Sequence, residues 1–156
     1  MARKVRDGVV LIWGSTGAAV VLRRMAPGVI HLIGVRNFDG PFEDGPMSDF
    51  DREIAAHGSL QLFMDVRKTQ RSSSKSREPW KEWASQNRTR HRSHVLVSSS
   101  ILHMAISVIA MASKTVTTAY ANEAAFLRAL QEVAPGVTAL PDIPPWVSET
   151  LTAAVP

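Results

Sequence analysis

The amino-acid sequence predicts an α/β fold in which a mixed β-sheet carries about four helices. Two observations lead to this prediction. In the first 36 residues, three runs rich in β-branched and apolar residues are separated by short turn-forming stretches, which is typical of an antiparallel meander. From residue 60 to residue 134, strand-like runs alternate with helix-like runs, and this alternation indicates parallel strands joined by helices.

The predicted meander is built from three short strands. Residues 9–13, 18–24 and 29–36 are the strand-like runs. Pro27 and Gly28 favour a tight reversal before the third run, since proline fixes φ and glycine accepts a positive φ. Gly14 and Gly17 follow the first strand as in a dinucleotide phosphate loop, but the third glycine of that motif is absent and a strand follows instead of a helix. We therefore interpret residues 14–17 as a turn.

A helix and a buried strand are predicted after the meander. Residues 39–45 are loop-like. Ser48, with Asp51 three residues later, predicts the N-terminal cap of a helix that runs to about residue 56 and ends at Gly58. Residues 60–66 are apolar until Asp65, as expected of a central strand that is buried on both faces.

The next segment is predicted to be a loop followed by an anchored helix. Residues 68–77 are rich in serine and basic residues and have no apolar period, so we expect a mobile loop. Pro79 suits a first helical turn, and the helix predicted from it runs to about Arg90 with Trp80 and Trp83 on one side. Residues 95–97 predict a short buried strand.

The last part of the chain predicts two helices, a strand and a tail. Residues 101–113 predict a helix that would be apolar on nearly all sides and that the core or a partner would have to cover. Residues 116–121 alternate like a strand, and Asn122 begins a further helix that Pro135 and Gly136 end. We expect residues 1–136 to form a single domain and the proline-rich residues 137–156 to wrap its surface, with a short helix anchored by Trp146.

The composition limits the classes of function. The chain has no cysteine, which excludes disulfides, thiolate metal sites and a cysteine nucleophile, and which fits a bacterial cytoplasmic protein. No apolar run approaches the roughly 20 residues that cross a bilayer, so no membrane segment is expected. The net charge of +4 hides an uneven distribution: residues 67–93 hold nine Lys/Arg and two Glu, which is +7, so the remainder sums to −3.

The basic segment is a candidate surface for nucleic acid or another polyanion. Arginine and lysine neutralise phosphates, and Trp80 and Trp83 could stack on bases. The alternative, which we favour, is a solvated loop followed by a helix whose tryptophans belong to the core. The candidates for polyanion binding are Arg67, Lys68, Arg71, Lys75, Arg77, Arg88, Arg90 and Arg92. Ser72, Ser73 and Ser74, which lie among these basic residues, are candidate phosphorylation sites.

The apolar helix is the candidate surface for a protein partner or for self-association. Its candidate contact residues are Ile101, Met104, Ala105, Val108 and Met111. A pocket between this helix and the sheet would suit a small hydrophobic ligand or a lipid, which is a third alternative.

Metal and catalytic sites are not indicated by the sequence. His91 and His94 are three residues apart, but a predicted helix-to-strand transition between them spoils a shared metal site. No constellation of residues predicts a catalytic site or a cofactor, so we expect a protein that is not an enzyme.

Several stretches resemble the STAS-like fold of bacterial anti-sigma-factor antagonists and their sporulation-protein-like relatives. They are Leu60-Gln61-Leu62-Phe63-Met64-Asp65, His94-Val95-Leu96-Val97, Met104-Ala105, Val116-Thr117-Thr118-Ala119-Tyr120, and Asn122-Glu123 with Ala125-Phe126-Leu127. Classical antagonists carry an Asp-Ser-Ser-Gly or Asp-Ser-Thr-Gly box after this central strand, where a partner kinase phosphorylates a serine. Residues 71–76 lack its aspartate and glycine. The resemblance therefore implies a non-enzymatic regulatory module that binds proteins, without that switch.

Overall fold

The strands form one seven-stranded mixed sheet whose spatial order follows the sequence. The computed structural model describes residues 1–15, 17–36, 45–69, 74–98 and 116–154, with the backbone alone for 74–77. The strands are β1 (Ala2–Arg6), β2 (Val9–Trp13), β3 (Ala19–Ala26), β4 (Val29–Val35), β5 (Leu60–Asp65), β6 (His91–Leu96) and β7 (Thr117–Tyr120). Strands β1 to β4 pair antiparallel, and β4 to β7 pair parallel. The predicted α/β class, with a mixed sheet and an antiparallel meander, is confirmed.

Strand β1 is an addition to the predicted meander. It pairs with β2 from Ala2 opposite Trp13 to Arg6 opposite Val9. Asp7 and Gly8 both have a positive φ, 51° and 73°, which is the conformation that joins two strands through a tight hairpin. This strand has no apolar pattern in the sequence because its side chains are mostly charged and exposed.

Helix α1 (Met47–His57) begins before the predicted cap. Its N-cap is Pro46, which makes no side-chain capping bond, so the prediction of Ser48 as the cap is wrong. The Ser48 hydroxyl instead donates to the carbonyl of Gly45 at 3.1 Å. The predicted end is confirmed: Gly58 has a φ of 81° and donates its N–H to the carbonyl of Ile54 at 2.8 Å.

Helix α2 (Ser74–Gln86) differs from its prediction at both ends. The predicted loop is wrong for residues 74–77, which are helical, and Pro79 lies in the sixth helical position rather than in the first turn. Because proline has no backbone N–H, the carbonyl of Lys75, four residues earlier, does not receive its helical hydrogen bond. The helix ends at Gln86, before the predicted Arg90. The backbone N–H of Asn87 makes the last i to i−4 bond, to the Trp83 carbonyl at 3.0 Å, and the Asn87 side chain donates to the same carbonyl at 3.1 Å.

The tryptophans of α2 belong to the core, as the favoured interpretation held. Trp80 and Trp83 pack against Phe50 of α1, with ring centroids 5.6 and 5.2 Å apart. Trp83 is 7% exposed, and its indole N–H donates to Asp51 at 2.8 Å. Both rings therefore join the two helices to each other.

Strand β6 begins four residues before the predicted one. His91 and His94 both lie on it, so the predicted transition between them is wrong. Side chains three apart on a strand point to opposite faces, which separates the two imidazoles. His91 is buried beside Trp83, whereas His94 lies among the side chains of the other face.

Two helices close the described part of the chain. Helix α3 (Glu123–Val133) is confirmed with its cap, because the Asn122 side chain accepts the N–H of Ala125 at 3.1 Å. Helix α4 (Pro145–Ala154) is also confirmed, and its Trp146 is 7% exposed. The domain boundary at residue 136 stays a prediction. Beyond it, α4 packs on β2 and β3 and contributes to the core.

The sheet lies between two layers of helices. Successive strand residues point to opposite faces, so Ile12 packs toward α1 and α2 while Leu11 packs toward α4. Helix α3 covers the same face as α4, over β4, β5 and β6. The predicted apolar helix at 101–113 lies outside the described residues.

Candidate functional site

The predicted basic residues lie at two opposite ends of the parallel strands. Arg67 and Lys68 follow the carboxyl end of β5, whereas Arg88, Arg90 and Arg92 lie at the amino end of β6. Lys75 and Arg77 are on α2, where the structure describes the backbone alone, and Arg71 lies outside the described residues. The fold thus separates Arg67 from the three later arginines.

The three later arginines surround a cleft of about 370 Å³, which we call the arginine cleft. It opens at the amino ends of β5 and β6, where the backbone N–H of Leu60 donates to the carbonyl of Arg90 at 2.8 Å. Its lining residues are Ser59, Leu60, Gln61, Arg88, Thr89, Arg90, His91, Arg92 and Val116. Arg88, Arg90 and Arg92 are exposed, and across the parts of the chain that the structure describes, none of them forms an ion pair.

Asn87 attaches the arginine cleft to the core. Its side-chain oxygen accepts a hydrogen bond from the Arg90 guanidinium at 2.9 Å, while its side-chain nitrogen donates to the carbonyl of Trp83. The Asn87 carbonyl lies 3.0 Å from Nδ1 of His91. Asn87 and His91 are both buried, so the exposed Arg90 is held by a fixed support.

A row of polar side chains leads from the cleft across the sheet. Gln61 lines the cleft, and its side-chain oxygen is 3.1 Å from Nε2 of His94. Nδ1 of His94 is 3.0 Å from the Tyr120 hydroxyl, and the His94 ring stacks on Phe63 at 4.2 Å. Burial lowers the pKa of His94, and the positive charge of Arg92 adds to this effect. His94 is therefore a neutral imidazole with both nitrogens in use.

An ionic clip occupies the opposite end of β5. Asp65 accepts from the Arg67 backbone N–H at 3.1 Å and from its guanidinium at 3.0 and 2.7 Å. The same guanidinium donates to Glu123 at the start of α3. These bonds raise the pKa of Arg67, mainly through Asp65. Two carboxylates thus pair with its single positive charge, and β5 is tied to α3.

The remaining candidates of the sequence analysis lie largely outside the described residues. This holds for the partner-binding set of Ile101, Met104, Ala105, Val108 and Met111, and also for Ser72 and Ser73. Ser74 is the first residue of α2, and its side chain is not described. These residues stay predictions.

The described residues offer neither a cluster of metal ligands nor a membrane-spanning helix. They contain no group of three or more His, Asp or Glu side chains that could hold a metal ion. Among these residues, no helix is long and apolar enough to cross a membrane.

Sequence reasoning missed most of the cleft lining. Ser59, Gln61, Thr89 and Val116 come from the starts of three different strands, and the parallel register of Leu60 with His91 and of Ser93 with Thr117 brings them together. None of these residues has a local signal. The arginines at every second position from residue 88 to residue 92 were the one feature of the sequence that indicated this cleft.

Comparison with known proteins identifies the fold. No protein-family model matches the chain, and no curated protein does. A solved structure of an uncharacterized protein of the DUF3478 family from Shewanella loihica, described as having a SpoIIAA-like fold, is similar to it with a TM-score of 0.52 and 14% identity. The match covers 73% of this chain and 93% of that one. The chain therefore has a SpoIIAA-like, that is STAS-like, fold, as its sequence predicts.

Proposed function

We propose that the chain is a non-enzymatic regulatory module that binds a partner protein in the cytoplasm. The observation that carries the proposal is the state of the polar groups on the sheet. Both oxygens of Asp65 are bonded to Arg67, and both ring nitrogens of His94 have partners within the protein. Asp65 and His94 thus use their hydrogen-bonding capacity within the protein, which supports a role in holding the sheet together over acid–base chemistry at these two groups.

The ionic clip also bears on how such a module is regulated. Relatives with the phosphorylatable box carry their switch after the strand that corresponds to β5. In this chain Arg67 follows β5, and it bonds Asp65 and Glu123. The clip fixes the residues that directly follow β5, which is where those relatives carry their switch. This supports a module whose partner is not released by the classical phosphorylation.

Capture from the native host, followed by reconstitution, tests the proposal. The tagged full chain should retain a protein that the tag alone does not, and the two purified proteins should form a complex in calorimetry and light scattering. Recovery of nucleic acid or a small molecule, with no protein that binds the purified chain, would contradict the proposal.

Self-association is a separate part of the proposal. The apolar helix predicted at residues 101–113 is the surface that would carry it. Light scattering of the purified chain should then give a mass that rises with concentration above 17.1 kDa. A mass that stays at the monomer value over the whole range would remove this part and leave partner binding standing.

Nucleic-acid or polyanion binding is the second candidate function. The unpaired arginines of the cleft favour it, since a cation without a counter-charge attracts phosphate. For such binding, the logarithm of the affinity would fall with the logarithm of the salt concentration, at a slope of about −0.9 per phosphate contact on duplex DNA. Binding of a small hydrophobic ligand or a lipid stays a prediction, because the helix that would line its pocket lies outside the described residues.

A further inference from the structure

We propose that the arginine cleft binds an acidic segment of the partner protein through Arg88, Arg90 and Arg92. This inference rests on the proposed function and assigns the surface and the chemistry of the interaction. A guanidinium presents paired N–H donors that fit a carboxylate or phosphoryl group. The shared chemistry of the bound segment is an oxyanion carried on a side chain.

The charge balance of the described chain points to this cleft. Elsewhere, Arg3 is paired with Asp49, Arg24 with Glu53, and Arg67 with both Asp65 and Glu123. The other arginines without an ion pair among the described residues are Arg23, Arg36 and Arg128, and they are well separated along the chain. At the cleft, three arginines lie close along the chain and none of the nine lining residues is acidic. Like charges that are held together repel one another, so an acidic ligand would relieve a repulsion as well as form new ion pairs.

The cleft also has the form of a built site. Arg90 is oriented by buried Asn87, so part of the cost of ordering its long side chain is met before any ligand binds. Gln61, Ser59 and Thr89 add side chains that can hydrogen-bond along the wall, and Val116 adds an apolar side chain that is 47% exposed. This mixture suits a peptide segment, which brings acidic and apolar side chains together.

The observations favour a protein segment over nucleic acid. The tryptophans that could have stacked on bases are packed against Phe50, and Arg67 is neutralised by the ionic clip. Among the side chains that the structure describes, what remains is a compact cleft of about 370 Å³ and not an extended basic track of the kind that follows a phosphate backbone.

A pair of charge-matched variants tests the inference. The cleft variant carries Arg88→Gln, Arg90→Gln and Arg92→Gln. The control variant carries Arg6→Gln, Lys81→Gln and Arg128→Gln, which removes three exposed cations outside the cleft. The probes are a fluorescein-labelled deca-glutamate peptide, its deca-glutamine counterpart, an oligothymidylate, and the partner protein recovered by capture. Circular dichroism melting confirms that both variants are folded.

The expected result is selective loss in the cleft variant. Deca-glutamate should bind the wild-type chain and the control with similar affinity and should bind the cleft variant about tenfold more weakly, since three exposed ion pairs are lost together. Wild-type binding should weaken as NaCl rises from about 50 to 200 mM, and deca-glutamine should not bind. Affinity for the partner protein should fall by a similar factor in the cleft variant.

The outcomes separate this inference from the proposed function. A partner protein that binds the cleft variant as tightly as it binds the wild type overturns the inference and leaves the proposed function standing. Selective loss of deca-glutamate binding when no partner protein exists supports the cleft but contradicts the proposed function. Oligothymidylate that binds the cleft more tightly than deca-glutamate also overturns the inference, in favour of nucleic acid.

Discussion

Removal of Arg67 tests how much the ionic clip contributes to stability. In Arg67→Ala, the Asp65 carboxylate would keep its bond from the backbone N–H and lose both guanidinium bonds. The Asp65 side chain is 10% exposed, so water can replace little of what is lost, whereas the Arg67 side chain is 36% exposed and partly screened. Hydrogen bonds to charged groups contribute about 1.5–3 kcal/mol, and breaking a fully buried pair costs about 3–5. With screening, we expect the free energy of unfolding to fall by about 2–3 kcal/mol.

Urea unfolding followed by far-UV circular dichroism measures this loss. For a domain of this size, the fall corresponds to a Tm lower by about 4–12 °C. Lys68→Ala, at the exposed neighbouring residue, is the matched control and should stay within about 0.5 kcal/mol of the wild type. Adding Asp65→Asn to Arg67→Ala should recover part of the loss, because no charge is then left buried and unpaired. An Arg67→Ala protein as stable as the Lys68→Ala control would refute the reasoning.

Three other changes have expected outcomes in the same unfolding assay. Burial lowers the pKa of His31 to about 4. The unfolded chain, with a histidine pKa near 6.5, therefore binds the proton first as the pH falls, and this residue should reduce the stability of the wild type by about 2 kcal/mol from pH 7 to pH 5. His31→Leu should remove that part of the pH dependence. Trp146→Ala removes the packing of the Trp146 ring on β2 and β3 and should lower the free energy of unfolding by about 3–5 kcal/mol. Asn122→Ala removes the cap bond to Ala125 and should cost about 1 kcal/mol.

Each of these outcomes has a result that would count against it. Equal slopes of stability with pH in wild type and His31→Leu would show that this histidine titrates alike in both states. A Trp146→Ala protein with unchanged stability would mean that α4 adds nothing to the core. Asn122→Ser, which retains a capping oxygen, should stay near the wild type; if it loses as much as Asn122→Ala, the cap bond is not the cause.

Elements with a strong local signal could be predicted from the sequence. Strand β5 has an apolar run that only a buried strand explains, and α3 has a capping asparagine before a regular apolar face. The start of α2 could not be predicted, because serine and arginine give no apolar period and Pro79 suggests a later first turn. Strand β1 could not be predicted for a related reason, because it is a charged edge strand whose side chains are almost all exposed.

The candidate site depended on information that a linear sequence does not hold. The spacing of Arg88, Arg90 and Arg92 was visible, but their separation from Arg67 follows from the parallel course of β5 and β6, which places the two groups at opposite ends of the sheet. The second carboxylate that pairs with Arg67 is Glu123, which is 56 residues away along the chain. Charge in a sequence can be counted, whereas its pairing is a property of the fold.

The position of α4 late in the chain affects how much apolar surface is exposed while the protein is being synthesised. The described residues that cover the Leu11 and Val21 face of the meander are Ile143 and those of α4. The early strands can pair long before that helix is synthesised, so a nascent chain would carry an apolar face open to water, which favours aggregation. Strand β1, with Arg3 and Lys4 on the outer edge of the sheet, opposes pairing with a neighbouring chain during that interval.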